Sequence, residues 1–485
     1  MQGVKTLNTK SIPLVNAYCD DVLASHDAVA LAQLIDKKEI SPQETISAAI
    51  ERAKKVNPHL NAITEEMYSD AVERMPSSGL MYGVPSFIKD NEAVKGFPTL
   101  HGSAALKNTP AEHSSDFFRQ FESLGLATIG KSTLPEFGLT ATTESTFLGE
   151  TKNPWNTAFS SGGSSGGSAA LVAAGVVPIA HGNDGGGSIR IPAACCGLVG
   201  LKPTRGRLRP MEGTDLLPIN LVNQGVLTRT VRDTATFLYG AELHHANPDL
   251  PPIGHVQGEG KKPLKIAFFI NGPEHVLTDS DCGHAVRKAA SLCESLGHDV
   301  EEIPFPFDHN LGDDFLIYWS MLAFGIHYAS KQVVGQAVDK SKLEPFTKAM
   351  SRYYLTQCYK TPGAIRRLKQ FQATYQHFFD NVDVILSPVL GHPPPKLSYL
   401  VSKDINLENT LERLRRFVPF TGIQNVSGGP AVSLPVGMSQ TGLPVGVQFA
   451  SAPGNDKTLL ELAFGLEQTG AFLAGDDKIN KVVGF

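Results

Sequence analysis

Serine and glycine residues are concentrated in one segment of the sequence, residues 160–206. Twelve of the 46 glycines lie between Gly162 and Gly206. Glycines cluster where a backbone must adopt positive φ angles or approach a ligand closely. Two glycine-rich loops, residues 162–167 and 185–187, adjoin serines, and the run of three glycines in the second leaves N–H groups free to point at one place. A serine hydroxyl beside free N–H donors is what acyl transfer requires, namely a nucleophile and an oxyanion hole.

Glycine-rich loops also occur in phosphate-binding sites, in α/β-hydrolases and in flexible linkers. A phosphate-binding loop before a helix is expected to read G-x-x-x-x-G-K-[ST] or G-x-G-x-x-G, and neither loop does. Residues 162–166 satisfy the G-x-S-x-G pattern of an α/β-hydrolase elbow, which is weak in a Gly- and Ser-rich sequence and requires a downstream histidine. The candidate histidines are His244, His298, His327 and His392, and the sequence around each of them gives no sign of a catalytic role. A flexible linker is disfavoured because apolar, core-like sequence follows directly.

The same stretch resembles the signature of a known enzyme family. GGSSGGSAA, followed by HGNDGGGSIRIPAACCGLVGLKPT, resembles the amidase signature family of Ser-Ser-Lys hydrolases, with the two serines at the family's separation. Further similar stretches are GVPSFIKDNEAVKGFPTLHGS, NPWN and residues 420–450. Residues 27–205 and 420–467 therefore resemble the family core, whereas residues from about 206 to 415 resemble it only loosely. The implied fold is α/β, with a large mixed β-sheet sandwiched between helices.

The resemblance implies three catalytic residues. Ser188 would be the nucleophile that forms the acyl-enzyme, and Ser164 would be the bridging serine, held by a cis peptide bond after Gly163. Lys89, in the sequence PSFIKD, would be the base. The implied reaction is hydrolysis of the C–N bond of a carboxylic amide through an acyl-serine intermediate, with no cofactor and no metal.

The resemblance also implies roles for the two glycine loops. The backbone N–H groups of Gly185, Gly186, Gly187 and Ser188 would line the oxyanion hole. Gly162 and Gly163 would contact the substrate. The sequence departs from the family at two places: Asn183-Asp184 stands where the family often has Thr-Asp, and Gly185 replaces a bulkier residue.

A lysine can act as a base near neutral pH only if its pKa falls from ~10.4 towards ~7–8, a shift of roughly 3 units or about 4 kcal/mol. Burial causes such a shift because it penalises the ammonium form. Lys89 follows apolar sequence that suits burial. Lys131 and Lys202 are rival bases on sequence alone, and we expect both to serve in loop hydrogen bonding or in solvated positions.

Several other polar residues near these motifs are interpreted as structural. Asp90 is expected to face away from Lys89 and to bond backbone, because neighbours on a strand point to opposite faces. The remaining residues interpreted as structural are His101, His181, Asp184, Arg190, Cys195 and Cys196. No metal-ligand spacing occurs in the sequence.

Apolar periodicity, caps and turn residues predict the elements that must position these groups. Helices are predicted at residues 28–35, from 42 onward after the capping box Ser41–Glu44, at 115–124, 168–174, 189–196, 284–296 and 457–467, and over most of 313–380, where Pro362 opens the last helix. Strands are predicted at 127–129, 176–180, 264–270, 300–303, 384–386, 431–434 and 445–449. No linker separates autonomous domains, so residues 1–485 are expected to form one domain with a helical middle section.

Composition excludes several classes of function. The chain has 485 residues, of which 41% are hydrophobic and 19% charged, with a net charge of −5. This balance gives no electrostatic case for binding nucleic acid or an anionic membrane. The six scattered cysteines suit a reducing compartment. Neither a secretory signal nor a segment long enough to span a membrane is evident, so a cytoplasmic location is expected.

The expected partner is a small-molecule amide substrate, with a homodimer as a further possibility. Pocket walls are expected from residues 134–146, 313–380 and 420–425. The aromatic residues that suggest an apolar acyl or aryl group are Phe137, Tyr318, Trp319, Phe324 and Tyr328. Ordinary core packing is the favoured explanation of them. The alternative function is that of the amidase-like subunit of a tRNA-dependent amidotransferase complex. The divergent section 206–415 favours a stand-alone amidase.

Overall fold

Strands and helices alternate along most of the chain. The computed structural model describes residues 14–273, 276–308, 310–401 and 406–473. The strands are β1 (Ile63–Glu66), β2 (Pro85–Lys89), β3 (Ala127–Ser132), β4 (Glu144–Ser145), β5 (Gly149–Glu150), β6 (Lys152–Asn153), β7 (Asn156–Ser160), β8 (Ile179–Asp184), β9 (Val199–Lys202), β10 (Asn223–Thr228), β11 (Lys265–Phe268), β12 (Asp299–Glu302), β13 (Val384–Pro388), β14 (Ala431–Met438) and β15 (Pro444–Ala450). The helices are α1 (Ala28–Asp36), α2 (Pro42–Leu60), α3 (Ala71–Arg74), α4 (Asp116–Glu122), α5 (Gly166–Ala173), α6 (Arg190–Cys196), α7 (Val231–His244), α8 (Ser280–Ser295), α9 (Leu311–Val333), α10 (Pro345–Gln357), α11 (Thr361–Phe378), α12 (Leu407–Phe417), α13 (Gly422–Ser427) and α14 (Asp456–Gln468).

The largest sheet has eight strands in the order β12-β11-β13-β15-β14-β9-β10-β8. Strand β11 is parallel to both of its neighbours, and the remaining pairs are antiparallel, so the sheet is mixed. Helices cover both of its faces. Gly437 of β14 pairs with Val445 of β15, and the side of the sheet at Gly437 faces Ala285 of α8. Gly446, the residue after Val445 on β15, faces Ala194 of α6. Because successive strand residues point to opposite faces, α6 and α8 lie on opposite sides, which confirms the predicted sandwiched α/β architecture.

A second sheet contains three strands in the order β1-β3-β2. No backbone ladder joins β2 to the large sheet, but side-chain hydrogen bonds connect it to β8. Ser86 Oγ donates to the carbonyl of Ile179 at 2.9 Å, and the N–H of Lys89 donates to Nδ1 of His181 at 3.2 Å. Lys89, the last residue of β2, is therefore held against the edge strand of the large sheet.

Most predicted elements are present with shifted ends. The capping box at the start of α2 is complete, with Ser41 and Glu44 bonding each other's backbone N–H groups. The helical section 313–380 consists of α9, α10 and α11, and Pro362 lies in the first turn of α11. The structure contains β10, α7 and α12, none of which the sequence patterns predicted. Among the described helices, none combines the length and apolar sequence needed to cross a membrane.

The strand predicted at 176–180 is wrong in its bounds, and the correction matters for the site. The observed strand β8 begins at Ile179, after Pro178, and continues through His181, Gly182 and Asn183 to Asp184. Every residue of β8 is buried, so the polar and small residues of its second half show no alternation that a sequence pattern could reveal. The glycine run 185–187 thus follows the strand directly.

Candidate active site

Lys89 is completely buried, and its amino group touches three neutral polar side chains. Nζ lies 2.7 Å from Ser164 Oγ, 3.0 Å from Ser165 Oγ and 2.7 Å from Asn183 Oδ1. Burial lowers the pKa of Lys89 to about 7, against the opposing effect of two carboxylates, Asp184 and Glu92. A substantial fraction of Lys89 is therefore an uncharged amine at neutral pH.

The three partners differ in what they can accept or donate. An uncharged lysine has two N–H donors and one lone pair. Asn183 Oδ1 is an acceptor only, and Ser165 directs its own hydroxyl hydrogen to the carbonyl of Asn183 at 3.3 Å. Both residues therefore accept N–H groups from Lys89. The lone pair is left facing Ser164, which is the one partner free to donate a proton to it.

Ser164 lies in the loop that leads into α5. The peptide bond between Gly163 and Ser164 is cis. A side chain on Gly163 would meet the backbone of Thr142 at 2.6 Å, and one on Gly138 would meet Ser164 Oγ at 3.1 Å. Residues 138–142 therefore enclose Ser164 closely.

The structure places Gly162 and Gly163, predicted to contact substrate, inside the protein. A side chain on Gly162 would meet Pro192 of α6 at 2.9 Å, and Gly163 packs on Thr142 as described above. Neither glycine lines the cavity beside Ser188. Because Gly162 and Gly163 have no side chains, the backbone of this loop can pack closely on Pro192 and Thr142.

Ser188 follows the run of three glycines, and 7% of its surface is exposed. The N–H of Ser165 donates to the carbonyl of Ser188 at 3.3 Å, so the two serine-containing loops are adjacent. The N–H of Gly187 donates to Asp184 Oδ1 at 2.7 Å, which removes Gly187 from the predicted set of free donors. For the N–H groups of Gly185, Gly186 and Ser188, the described residues provide no acceptor.

Asp184 and Arg190 form an ion pair that supports this loop, and both side chains are fully buried. Burial alone would raise the pKa of Asp184, but the guanidinium of Arg190 and the amide of Asn425 lower it well below its usual range. Asp184 also accepts the backbone N–H of Ile189 at 3.2 Å. The interpretation of Asp184 and Arg190 as loop scaffolding agrees with these contacts.

Residues after 420 complete the support. Thr421 Oγ1 donates to the carbonyl of Gly186 at 2.6 Å, and Asn425 Nδ2 donates to the carbonyl of Asp184 at 2.7 Å. The sequence stretch FTGIQN was included in the family resemblance, but neither residue was assigned a role from it. Ser165 was also missed, although it is the residue next to Ser164.

The rival lysines have other partners. Lys131 Nζ bonds Asp90 Oδ1 at 3.3 Å, Thr99 Oγ1 at 2.9 Å and two backbone carbonyls. Lys202 Nζ bonds the carbonyl of Pro203 at 2.8 Å. Both lysines are buried, so the expected loop hydrogen bonding is correct and the suggestion of solvated positions is wrong. Asp90 does not bond Lys89 and accepts the backbone N–H of Leu100, as predicted, whereas its ion pair with Lys131 was not predicted.

Of the remaining residues interpreted as structural, His181, Cys195 and Cys196 are buried and His101 is partly buried. Cys195 and Cys196 are both inside the apolar core, where burial raises the pKa of each thiol. Burial lowers the pKa of His101 to about 4, and neither it nor His181 touches Ser164 or Ser188. Within the described parts of the chain, no cluster of His, Cys, Asp or Glu side chains could hold a metal ion.

A cavity of about 220 Å³ adjoins Ser188 and Gly186. Its apolar lining consists of Leu139, Ala141, Ile191, Pro273, Val276, Phe305, Leu311, Phe315, Leu316, Trp319, Phe346, Met350, Leu411, Leu414, Val418, Pro419, Ile423 and Val426. Its charged lining consists of Asp308, Asp313 and Arg415. Arg415 and Asp313 form an ion pair at 2.7 Å, so the two charges neutralise each other.

The three segments expected to form the pocket all contribute to this cavity, but the aromatic residues do so unequally. Trp319 lines it and donates its indole N–H to the carbonyl of Leu139 at 3.0 Å. Tyr318 is buried on the other side of α9, with its hydroxyl on the backbone of Ile219. Phe137, Phe324 and Tyr328 do not line the cavity, and Phe324 and Tyr328 pack on each other. A helix turns successive residues in different directions, which the sequence spacing alone did not resolve.

A buried lysine on a serine hydroxyl, a second serine beside free N–H groups and an adjoining cavity are typical of enzymes that transfer acyl groups. Comparison with known proteins identifies the class. The family model described as Amidase matches residues 44–460. AmiC of Mycobacterium leprae is 42% identical over 461 residues, covering 94% of this chain and 97% of that protein. The 6-aminohexanoate-cyclic-dimer hydrolase of Paenarthrobacter ureafaciens is 33% identical over 471 residues, covering 91% of this chain and 94% of the relative.

A solved structure of 6-aminohexanoate cyclic dimer hydrolase superposes with a TM-score of 0.83 at 31% identity, over 94% of this chain and 99% of that one. The chain belongs to the amidase family and is a hydrolase of amide C–N bonds. The resemblance read from the sequence is thereby confirmed.

The support beneath the glycine loop yields a stability prediction. Replacing Arg190 with Met leaves the carboxylate of Asp184 buried without its cation, so we expect the free energy of unfolding to fall by about 3–5 kcal/mol. Arg352 is exposed, and the same replacement there should change stability by less than about 0.5 kcal/mol. Urea unfolding followed by circular dichroism measures both. Equal stability of the two variants would contradict a supporting role for Arg190.

Proposed function

We propose that this chain is a stand-alone amidase that uses Ser188 as nucleophile, Lys89 as base and Ser164 as the bridge between them. The observation that carries the proposal is the 2.7 Å contact between the buried amine of Lys89 and Ser164, with the other two contacts of that amine occupied by acceptors. This arrangement supports proton transfer from Ser164 to Lys89. A serine so deprotonated can in turn take the proton of a neighbouring hydroxyl.

The reaction would proceed in two halves. In the first, Ser188 Oγ attacks the amide carbonyl while its proton passes to Ser164 and the proton of Ser164 passes to Lys89. The oxyanion of the tetrahedral intermediate accepts N–H bonds from the loop of Gly185, Gly186 and Ser188. The proton on Lys89 then returns through Ser164 to the amine nitrogen, the C–N bond breaks, and an ester on Ser188 remains. In the second half, water takes the place of the amine and releases the carboxylic acid.

The cavity supports a substrate with an apolar group beside the amide. Apart from Thr140, Ser188, Asp308 and the ion pair, the side chains of its walls are hydrocarbon and aromatic. Such a surface attracts alkyl or aryl groups and penalises an unpaired charge. The relative named above is a hydrolase of a cyclic dimer of 6-aminohexanoate, a molecule that carries methylene chains between its amide groups. We propose a substrate of this broad kind, an uncharged amide with an apolar acyl or amine part.

The proposed base gives a pH prediction. Only the uncharged form of Lys89 can accept a proton, and its pKa is lowered to about 7. The rate at which a fluorophosphonate labels Ser188 should therefore be low below this pH, half-maximal near it and constant about one unit or more above it. Lys89→Met should abolish labelling at every pH. Lys89→Arg should do the same, because arginine stays protonated.

Labelling is followed by mass spectrometry, with folding of each variant checked by circular dichroism. A labelling rate that does not change between acid and neutral pH would exclude Lys89 as the titrating base.

Alanine variants distinguish the proposed roles of Ser188 and Ser164. Ser188→Ala should eliminate both labelling and amide turnover, since the nucleophile is gone. Ser164→Ala should lower turnover by about 10²–10⁴-fold, the usual contribution of a positioned acid–base group. Ser165→Ala is the matched control: it removes one contact of Lys89 but leaves the bridge, so a smaller loss is expected. Full turnover in purified Ser188→Ala would refute the proposed nucleophile.

A substrate series tests the apolar cavity. In anilides of increasing acyl length, kcat/KM should rise about fourfold for each methylene until the cavity is filled, given ~0.8 kcal/mol per buried CH₂. A terminal carboxylate should reverse the gain. Phe315 approaches Gly186 and lines the cavity, so Phe315→Ala should reduce the preference for long chains. Tyr328→Ala, on an exposed side chain outside the cavity, should leave it unchanged.

Glutamine serves as the discriminating substrate. Hydrolysis of glutamine in preference to every anilide, together with co-purifying subunits, would favour the amidotransferase-subunit alternative over a stand-alone amidase.

A further inference from the structure

The proposed base and nucleophile belong to different sheets. Lys89 ends β2 of the three-stranded sheet, and Ser188 follows β8 at the edge of the eight-stranded sheet. Because no backbone ladder joins β2 to β8, side chains must set the distance between the base and the serine loops. The contacts nearest to the base are therefore important for the reaction geometry.

His181 contacts the backbone of Lys89 itself. Its Nδ1 accepts the backbone N–H of Lys89 at 3.2 Å, on the edge of β2 that has no strand neighbour. Asn183, two residues further along β8, accepts from the Lys89 amine at 2.7 Å. Residues two apart on a strand face the same side. One side of β8 thus holds Lys89 twice, at its backbone and at its amino group.

The ring of His181 has one orientation and one tautomer. Because Nδ1 accepts a hydrogen bond, the ring hydrogen is on Nε2, which donates to Gln224 Oε1 at 2.9 Å. Gln224 in turn donates its amide N–H to a carboxylate oxygen of Glu92. The other carboxylate oxygen of Glu92 accepts the hydroxyl of Ser115 at 2.6 Å. Every donor in this chain points away from Lys89 and towards Glu92.

This series of hydrogen bonds returns to the segment in which it begins. Glu92 lies three residues after Lys89, so the path from Lys89 through His181 and Gln224 returns to the same segment. The His181 ring is buried and packs on Phe117 with ring centres 4.7 Å apart. Burial lowers the pKa of His181 to about 3, so the ring is uncharged over the whole range in which the protein would act.

We propose that His181 is a positioning residue for amide hydrolysis, which fixes Lys89 relative to Ser164 by a neutral, Nε2-protonated ring whose tautomer Gln224 and Glu92 determine. This inference rests on the proposed function of Lys89. His181 contacts neither substrate nor nucleophile, and it acts only through the backbone of the base.

The test uses the full-length protein and two replacements of His181. His181→Phe keeps an aromatic ring against Phe117 but provides no acceptor for the Lys89 N–H. His181→Asn keeps an acceptor, because its Oδ1 occupies the place of Nδ1. We expect the plateau rate of fluorophosphonate labelling of Ser188 to fall by about 10²-fold in the Phe variant, as for a reacting group misplaced by about 1 Å. The Asn variant should stay within about fivefold of the native rate.

With a good anilide substrate, the Phe variant should lose kcat while KM is unchanged, because the substrate cavity is unaffected. Ser86→Ala removes a different bond between the two sheets, the one from Ser86 Oγ to the carbonyl of Ile179, three residues from the base. This variant should change the labelling rate by no more than a few-fold.

Gln224→Met provides a readout if His181→Phe does not fold. It leaves the ring in place but removes the acceptor of the Nε2 hydrogen, so the ring can adopt the tautomer that cannot accept from Lys89. A several-fold slower labelling with an unchanged thermal midpoint supports the proposal. Equal loss in folded Phe and Asn variants, or native rates in folded Phe or Met variants, would overturn it. Absence of Ser188 labelling in the native protein would instead refute the proposed function itself.

Discussion

The removal of one amino group from water is the constraint on which the site depends. Lys89 must be buried to lose its proton near neutral pH, and a single carboxylate beside it would restore the charge. The structure avoids this by giving each nearby carboxylate its own partner. Asp184 is paired with Arg190, Asp90 is paired with Lys131, and Glu92 accepts two neutral donors. Lys89 is left with hydroxyl and amide groups only, which bind an amine without requiring it to be charged.

The buried ion pair between Asp184 and Arg190 also supports the loop that contains Ser188. Asp184 accepts the N–H groups of Gly187 and Ile189 and thereby fixes the backbone on both sides of Ser188. An aspartate can do this in a fully buried position only if a cation neutralises it, and Arg190 is anchored by Asn425 and by two glutamine side chains. The support of the glycine loop therefore extends from residue 184 to residue 448. The glycine loop therefore depends on contacts that reach from β8, at the edge of the large sheet, to Gln448 in β15.

The sequence was informative where a backbone requirement restricts residue type. The glycine runs at 162–167 and 185–187 have few alternatives, because side chains there would strike Pro192, Thr142 or Thr421. It was uninformative where burial is complete on all sides. The second half of β8 contains His181 and Asn183, polar residues that look like loop sequence until their partners are known. Those partners are 92–94 residues away along the chain, and only folding brings them together.

The cavity and the hydrogen-bond partners of Lys89 are joined at a few places. Trp319 bonds the carbonyl of Leu139, and Glu136 accepts the N–H of Glu344 at 2.9 Å, so α9 and α10 are anchored on residues 136–139. Helix α9 also packs against α10 and α11, and its residues Phe315 and Leu316 line the cavity together with Leu411 and Leu414 of α12. Substitutions there change the shape offered to a substrate without reaching the partners of Lys89. Separation of this kind lets the cavity change in shape while the hydrogen-bond partners of Lys89 stay in place.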